Sequence, residues 1–147
     1  MLNEYLEQYY VPAAIEYNRR ASHNGRGAAN LQSWSERVER EWPGIGAANY
    51  TVEQNRSGGW KVSVEVSLGQ LASADVSVQL YADRSGFEAE PDVIEMKLVC
   101  KVAESGAKLY TAEVSHDRAA TDYTPRIIPR NHEMKIPSEC GLIYWYR

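Results

Sequence analysis

The stretch WKVSVEVSL, residues 60–68, puts Trp60, Val62, Val64, Val66 and Leu68 on one side and Lys61, Ser63, Glu65 and Ser67 on the other. A period of two belongs to a strand with one buried face and one wet face. The same pattern returns at Val76, Val78 and Leu80, along Ile94, Met96, Leu98, Cys100 and Val102, and at Tyr110, Ala112, Val114 and His116. Turn residues separate these runs: Arg56-Ser57-Gly58-Gly59, Gly69-Gln70, Asp83-Arg84-Ser85-Gly86 and Glu104-Ser105-Gly106. Further strands are predicted near Tyr50 to Gln54, Tyr123 to Ile128 and Leu142 to Tyr146, about seven in all. That number and spacing predict an antiparallel β-sandwich, immunoglobulin- or fibronectin-like, without the Cys-Trp-Cys core of antibody domains.

Upstream the period is helical. Leu2, Leu6, Tyr9, Ala13 and Tyr17 line one helix face, with Pro12 interrupting the run and Asn24-Gly25 stopping it. Leu31, Trp34, Val38 and Trp42 form a second stripe, which starts near Gly27 and ends at Pro43-Gly44. The chain is therefore mainly β with an N-terminal helical hairpin: a helical segment at 1–46 and a sandwich at 47–147.

The chain of 147 residues, 44% hydrophobic, can bury a real core. Its 20 acidic and 16 basic side chains give a formal charge of −4, which argues against nucleic acid or an anionic membrane as partner. No run approaches the roughly 20 apolar residues of a membrane span. The acidic start MLNEYLEQYY is no secretory signal. Two cysteines, Cys100 and Cys140, fit a reducing cytoplasm better than a disulfide scaffold.

Catalytic patterns are weak. Ser115-His116-Asp117 has the residue types of a hydrolase triad, but adjacent strand residues point to opposite faces and cannot converge. His23, His116 and His132 lack metal-ligand spacing. Gly25-Arg26-Gly27 and Gly44-Ile45-Gly46 are too short for phosphate loops. Arg19, Arg20, His23 and Arg26 read as a solvated helix end. The aromatics Trp60, Tyr81 and Trp145 are the candidate site residues, read first as packing groups and alternatively as sugar-stacking rings.

Two motifs at the ends carry a family resemblance. YLEQYYVPAAIEYNRRA (residues 5–21) followed by LQSWSERVEREWPGIG (31–46) resembles the end of the catalytic part of bacterial and archaeal alpha-glucan phosphorylases. The matching residues are Tyr9, Tyr10, Pro12, Ala13, Trp34, Arg37, Val38, Trp42 and Pro43. The ending RIIPRNHEMKIPSECGLIYWYR (126–147) is similar to that family's terminus through Arg126, Pro129, Pro137, Glu139, Gly141, Leu142 and Trp145. Asn131, Cys140 and Tyr144 depart from its pattern, and LGQLASADVSVQLY (68–81) matches loosely.

The resemblance implies a fragment whose parent, on a Schiff-base lysine, uses pyridoxal phosphate to move glucosyl units between alpha-1,4-glucan and phosphate. The lobes holding that cofactor would precede Met1, and the terminal aromatic strand would be a natural end. No catalytic, cofactor or metal residue is then expected in this chain. Its implied partners are the catalytic lobes of the parent or a neighbouring subunit. The alternatives are an accessory module that binds alpha-glucan and an unrelated helix-plus-sandwich adaptor. An accessible ring pair on one sheet face would favour glucan; buried Trp60 and Trp145 would favour packing.

Overall fold

A computed structural model describes residues 18, 26–84, 90–115, 117–132 and 140–147. The chain divides into two units, Met1–Arg37 and Val38–Arg147. Helix α1, Arg26–Glu41, crosses that division. Leu31, Trp34 and Val38 recur on one face and are half-buried or buried, while Glu36, Glu39 and Arg40 are exposed. A 3-10 turn at Trp42–Gly44 ends the helix, because Pro43 has no amide hydrogen to continue the ladder. The Ile45 amide closes the turn on the Trp42 carbonyl at 3.0 Å. The predicted second helix is thus observed, starting at Arg26. Apart from Asn18, the predicted first helix lies outside the described residues, as do Arg19, Arg20 and His23.

Within the second unit the strands are β1 Gly46–Gln54, β2 Trp60–Ser67, β3 Val76–Ala82, β4 Asp92–Glu95, β5 Lys97–Lys101, β6 Lys108–Val114, β7 Thr124–Pro129 and β8 Tyr144–Trp145. They form two four-stranded antiparallel sheets, ordered β1-β2-β6-β5 and β4-β3-β7-β8. The alternation read in β2 holds: Val62, Val64 and Val66 have no exposed surface, and Val114 of β6 joins them in the core. Val78, Leu80 and Ile127 supply the buried side of the second sheet. Mainly antiparallel β behind an N-terminal helix is what the periodicities predict.

The run from Ile94 to Val102 departs from expectation. It reads as one strand but breaks at Met96, with β4 pairing β3 in the second sheet and β5 pairing β6 in the first. Met96 is buried, and its amide donates to the Val78 carbonyl at 2.8 Å before the chain crosses. Alternation records which side chains face the core, and both sheets share one core, so a change of sheet leaves no mark on it. The strand number becomes eight among the described residues. The register of β5 slips between Leu98 and Cys100, and all five of its residues are exposed.

The C-terminal strand is also shorter than predicted. Only Tyr144 and Trp145 enter the ladder, opposite Ile127 and Arg126. Pro129 ends β7. Pro125 sits in an interior strand; its carbonyl accepts the Tyr146 amide at 3.0 Å, where short β8 stops, so no long ladder is interrupted. Pro137 lies outside the described residues.

Side chains close the remaining edge. The Tyr144 hydroxyl oxygen accepts the Ala47 amide at 3.2 Å, and the Tyr146 ring lies 5.4 Å from that of Tyr50. These contacts tie the end of the chain to β1 of the other sheet. At the β1–β2 turn, Asn55 Oδ1 accepts the amides of Ser57 and Gly59 at 3.1 and 2.8 Å. Cys100 is exposed, Cys140 is buried, and both are free thiols.

Candidate functional site

Register brings residues from four strands onto the outer face of the second sheet. Glu95 of β4 lies opposite Gln79 of β3, Gln79 opposite Arg126 of β7, and Arg126 opposite Trp145 of β8. The neighbouring row runs from Val93 to Tyr81 to Thr124. Because strand side chains alternate, these residues share the side turned away from Leu80 and Ile127.

Arg126 is the centre of this face. Its Nε and Nη2 both donate to Gln79 Oε1, at 3.0 and 2.9 Å. Its guanidinium carbon sits 4.5 Å from the Tyr81 ring centre and 5.7 Å from that of Trp145. The two rings meet edge to face, 5.4 Å apart at 79°. Burial lowers the Arg126 pKa from its ordinary value, with Tyr81 acting in the opposite sense. The Tyr81 hydroxyl is held by Asp83 Oδ1 at 3.2 Å. Val93 and Ile143, 43% and 47% exposed, flank the group with apolar surface. A cleft of about 210 Å³ opens beside it, lined by Arg126, Ile128, Pro129, Cys140, Leu142 and Ile143.

Of the three residues predicted from sequence, Tyr81 and Trp145 come together here. Trp60 does not; it opens β2 in the first sheet, opposite Gln54 and Val114. All three rings are half-buried. Neither Arg126, which entered the sequence reading only as part of the terminal motif, nor Gln79 was a candidate site residue. The signal for them was the period-two pattern itself, which turns Arg126 outward whenever Ile127 turns inward. The first sheet's outer face is different: it carries Lys61, Ser63 and Glu65 of β2 and Thr111 and Glu113 of β6, paired across the strands.

At the end of the second sheet the Tyr123 hydroxyl donates to the Asp92 carboxylate. Burial first, then that hydrogen bond, pushes the Tyr123 pKa up to about 12. Arg118 spans this corner, bonding Asp122 Oδ2 at 3.3 Å and the Asp83 carbonyl. These contacts pin strand ends and leave no nucleophile beside a base. Ser115 Oγ donates to Asp117 Oδ2 at 3.1 Å on exposed surface, and His116 lies outside the described residues. Among the described residues no cluster of His, Cys, Asp or Glu could hold a metal ion. No described helix is long and apolar enough to cross a membrane. Chemically, the outer face of the second sheet presents a guanidinium held by a neutral amide and two aromatic rings beside a small, largely apolar cleft.

Comparison with known proteins agrees with the resemblance at both ends. Residues 42–147 match the family model of the glycogen phosphorylase C-terminal domain. The chain is 26% identical over 152 residues to the glycogen phosphorylases of Mycobacterium tuberculosis and Mycobacterium bovis, an alignment covering 97% of this chain. It spans 18% of the length of those relatives. No solved structure gives a significant match.

Proposed function

The chain belongs to the family of glycogen phosphorylase C-terminal domains, and from that membership we propose that it is the non-catalytic accessory domain of an alpha-glucan phosphorylase. The parent moves glucosyl units between alpha-1,4-glucan and phosphate with pyridoxal phosphate, in the cytoplasm. The observation that carries this reading is the family match, joined to coverage of 97% of this chain but 18% of each relative. We assign residues 1–46 to the end of the catalytic part and 47–147 to the sandwich. Its strand orders support an immunoglobulin-like topology, with ABED in the first sheet and CFG plus an added edge strand in the second. The adaptor reading falls with the family match.

Among the described residues no lysine fits pyridoxal phosphate. A Schiff base needs an enclosed lysine, whereas Lys61, Lys97 and Lys101 are exposed and Lys108 donates to Ser73 Oγ at 2.6 Å. The cofactor belongs to the part of the parent this chain does not contain. Incubated with glycogen, phosphate and pyridoxal phosphate, the chain releases no glucosyl phosphate and develops no cofactor absorbance; either signal from these residues alone would sink the accessory reading.

Glucan binding is the second reading, and the Tyr81–Trp145 pair on one sheet face is what favours it. Two features weigh against it. The rings cross at 79° and form no flat platform for a sugar, and Arg126 stands 4.5 Å over Tyr81, covering one face of that ring.

A further inference from the structure

Resting on the accessory-domain reading, we infer that the outer face of the second sheet, centred on Arg126, is the surface by which this domain packs on the catalytic part of a phosphorylase, with a carboxylate of that partner on the guanidinium.

Arg126 supplies the charge argument. Its guanidinium is half-buried, yet its acceptor is the neutral Gln79 amide, and no ion pair joins it to a carboxylate among the described residues. A partly desolvated charge without a counter-charge is unfavourable unless something else compensates it. Two N–H groups are occupied by Gln79 Oε1, which leaves three of the five guanidinium donors for a second acceptor. The side chain is already held by Tyr81, Trp145 and Gln79, so a carboxylate docking there would fix few additional rotors. The cleft of about 210 Å³ beside Arg126 has Ile128, Leu142 and Ile143 in its walls, which suits an apolar side chain next to that carboxylate. Trp, Tyr and Arg are the residues most enriched where binding energy concentrates. The first sheet's outer face places Lys61 opposite Glu113 and Ser63 opposite Thr111, charges and hydroxyls in register without an aromatic pair. The partner is the catalytic part because this chain, which holds the family domain, aligns with 18% of the length of glycogen phosphorylases.

The test supplies this chain in trans to the Mycobacterium tuberculosis glycogen phosphorylase shortened to end before its matched region. Affinity is measured by calorimetry, and that enzyme's own C-terminal segment serves as control. Unmodified chain is expected to bind. Arg126→Gln, Arg126→Glu and Trp145→Phe should weaken binding, Arg126→Glu by on the order of 30-fold. Lys61→Ala with Glu113→Ala should leave it within about twofold. Melting curves of each variant show that the fold is kept, and Arg126→Gln preserves it even if Arg126→Glu does not. Binding that ignores all three face variants overturns the surface assignment while leaving the accessory reading standing. If the mycobacterial segment binds and this chain does not, the accessory reading itself is wrong and the inference goes with it. Millimolar or tighter binding of maltoheptaose that Trp145→Phe removes overturns the protein partner in favour of a sugar.

Discussion

The two sheets reach similar architecture by different means. The first rests on long strands: β1, β2 and β6 have 9, 8 and 7 residues, and β2 has three Val residues with no exposed surface. The second has a comparable centre in β3 and β7, but its edges have only 4 and 2 residues. Ladder length stabilises the first. The second depends on side-chain staples: Tyr144 on the Ala47 amide, Tyr146 on Tyr50, and Arg126 against Trp145. Long ladders therefore mark where the fold is self-sufficient, and stapled edges mark where small changes have large effects. The stapled sheet is also the one whose outer face is aromatic.

Deleting Gly141–Arg147 is the most severe way to break this contrast. The cut removes β8 and both tyrosine contacts to β1, and it bares the edge of β7. Truncating a fully buried large aromatic costs about 3 to 5 kcal/mol. Tyr144, Trp145 and Tyr146 are half-buried, so roughly half that each is the fair figure, set against total stabilities of about 5 to 15 kcal/mol. The thermal midpoint should fall by on the order of 10 °C or more, with amide protection lost first in β7 and β3. An unchanged melt would mean that the ending is a free tail and that the second sheet needs no staple.

A smaller effect probes the first sheet at its tightest point. Gly59 enters β2 beneath β6, and a methyl group there would meet the Val114 carbonyl oxygen at 2.5 Å, backbone that cannot swing aside. Gly59→Ala should cost about 1 to 3 kcal/mol by overpacking. Gly58 has open space, but its φ of +87° disfavours a side chain, so Gly58→Ala should cost less, about 1 kcal/mol. Urea midpoints rank the two. The reverse order would show that turn conformation, not the approach of β2 to β6, sets the stability of the first sheet.

What was legible in the sequence follows the same division. The alternation of Val62, Val64 and Val66 gave up β2 at once, and Leu31, Trp34 and Val38 revealed α1, because repeated burial leaves a repeated pattern. Met96 marks no break in the pattern although the strand changes sheets there, since only pairing partners differ. Tyr81 and Trp145 were visible as candidate rings. Their meeting was not, because it depends on β8 lying beside β7, a long-range register. Arg126 stood in the terminal motif but was not read as a site residue for a related reason: a charged residue in an outward strand position reads as ordinary solvated surface until its neighbours are known.

The smallest expected effect lies between the sheets. Tyr110 of β6 is 5% exposed and lines a cleft of about 390 Å³ with Val76 and Val78 of β3 and Leu98 of β5. Its hydroxyl is buried without a hydrogen-bond partner among the described residues. A buried polar group left unpaired is destabilising by about 1 to 3 kcal/mol, whereas its removal with the ring retained leaves the packing intact. Tyr110→Phe should therefore be neutral or stabilise the fold by up to about 1 kcal/mol, a rare sign for a core substitution. The cleft sits where β4 stops at Glu95, so that Val76–Val78 pair with β7 but have no strand on the β4 side, and this hydroxyl reports on the seam opened by the crossing at Met96. Chemical denaturation of the two proteins gives the sign. Destabilisation by more than about 1 kcal/mol would show that the hydroxyl bonds an ordered water in the cleft, making the seam a wet joint between the self-sufficient sheet and the stapled one.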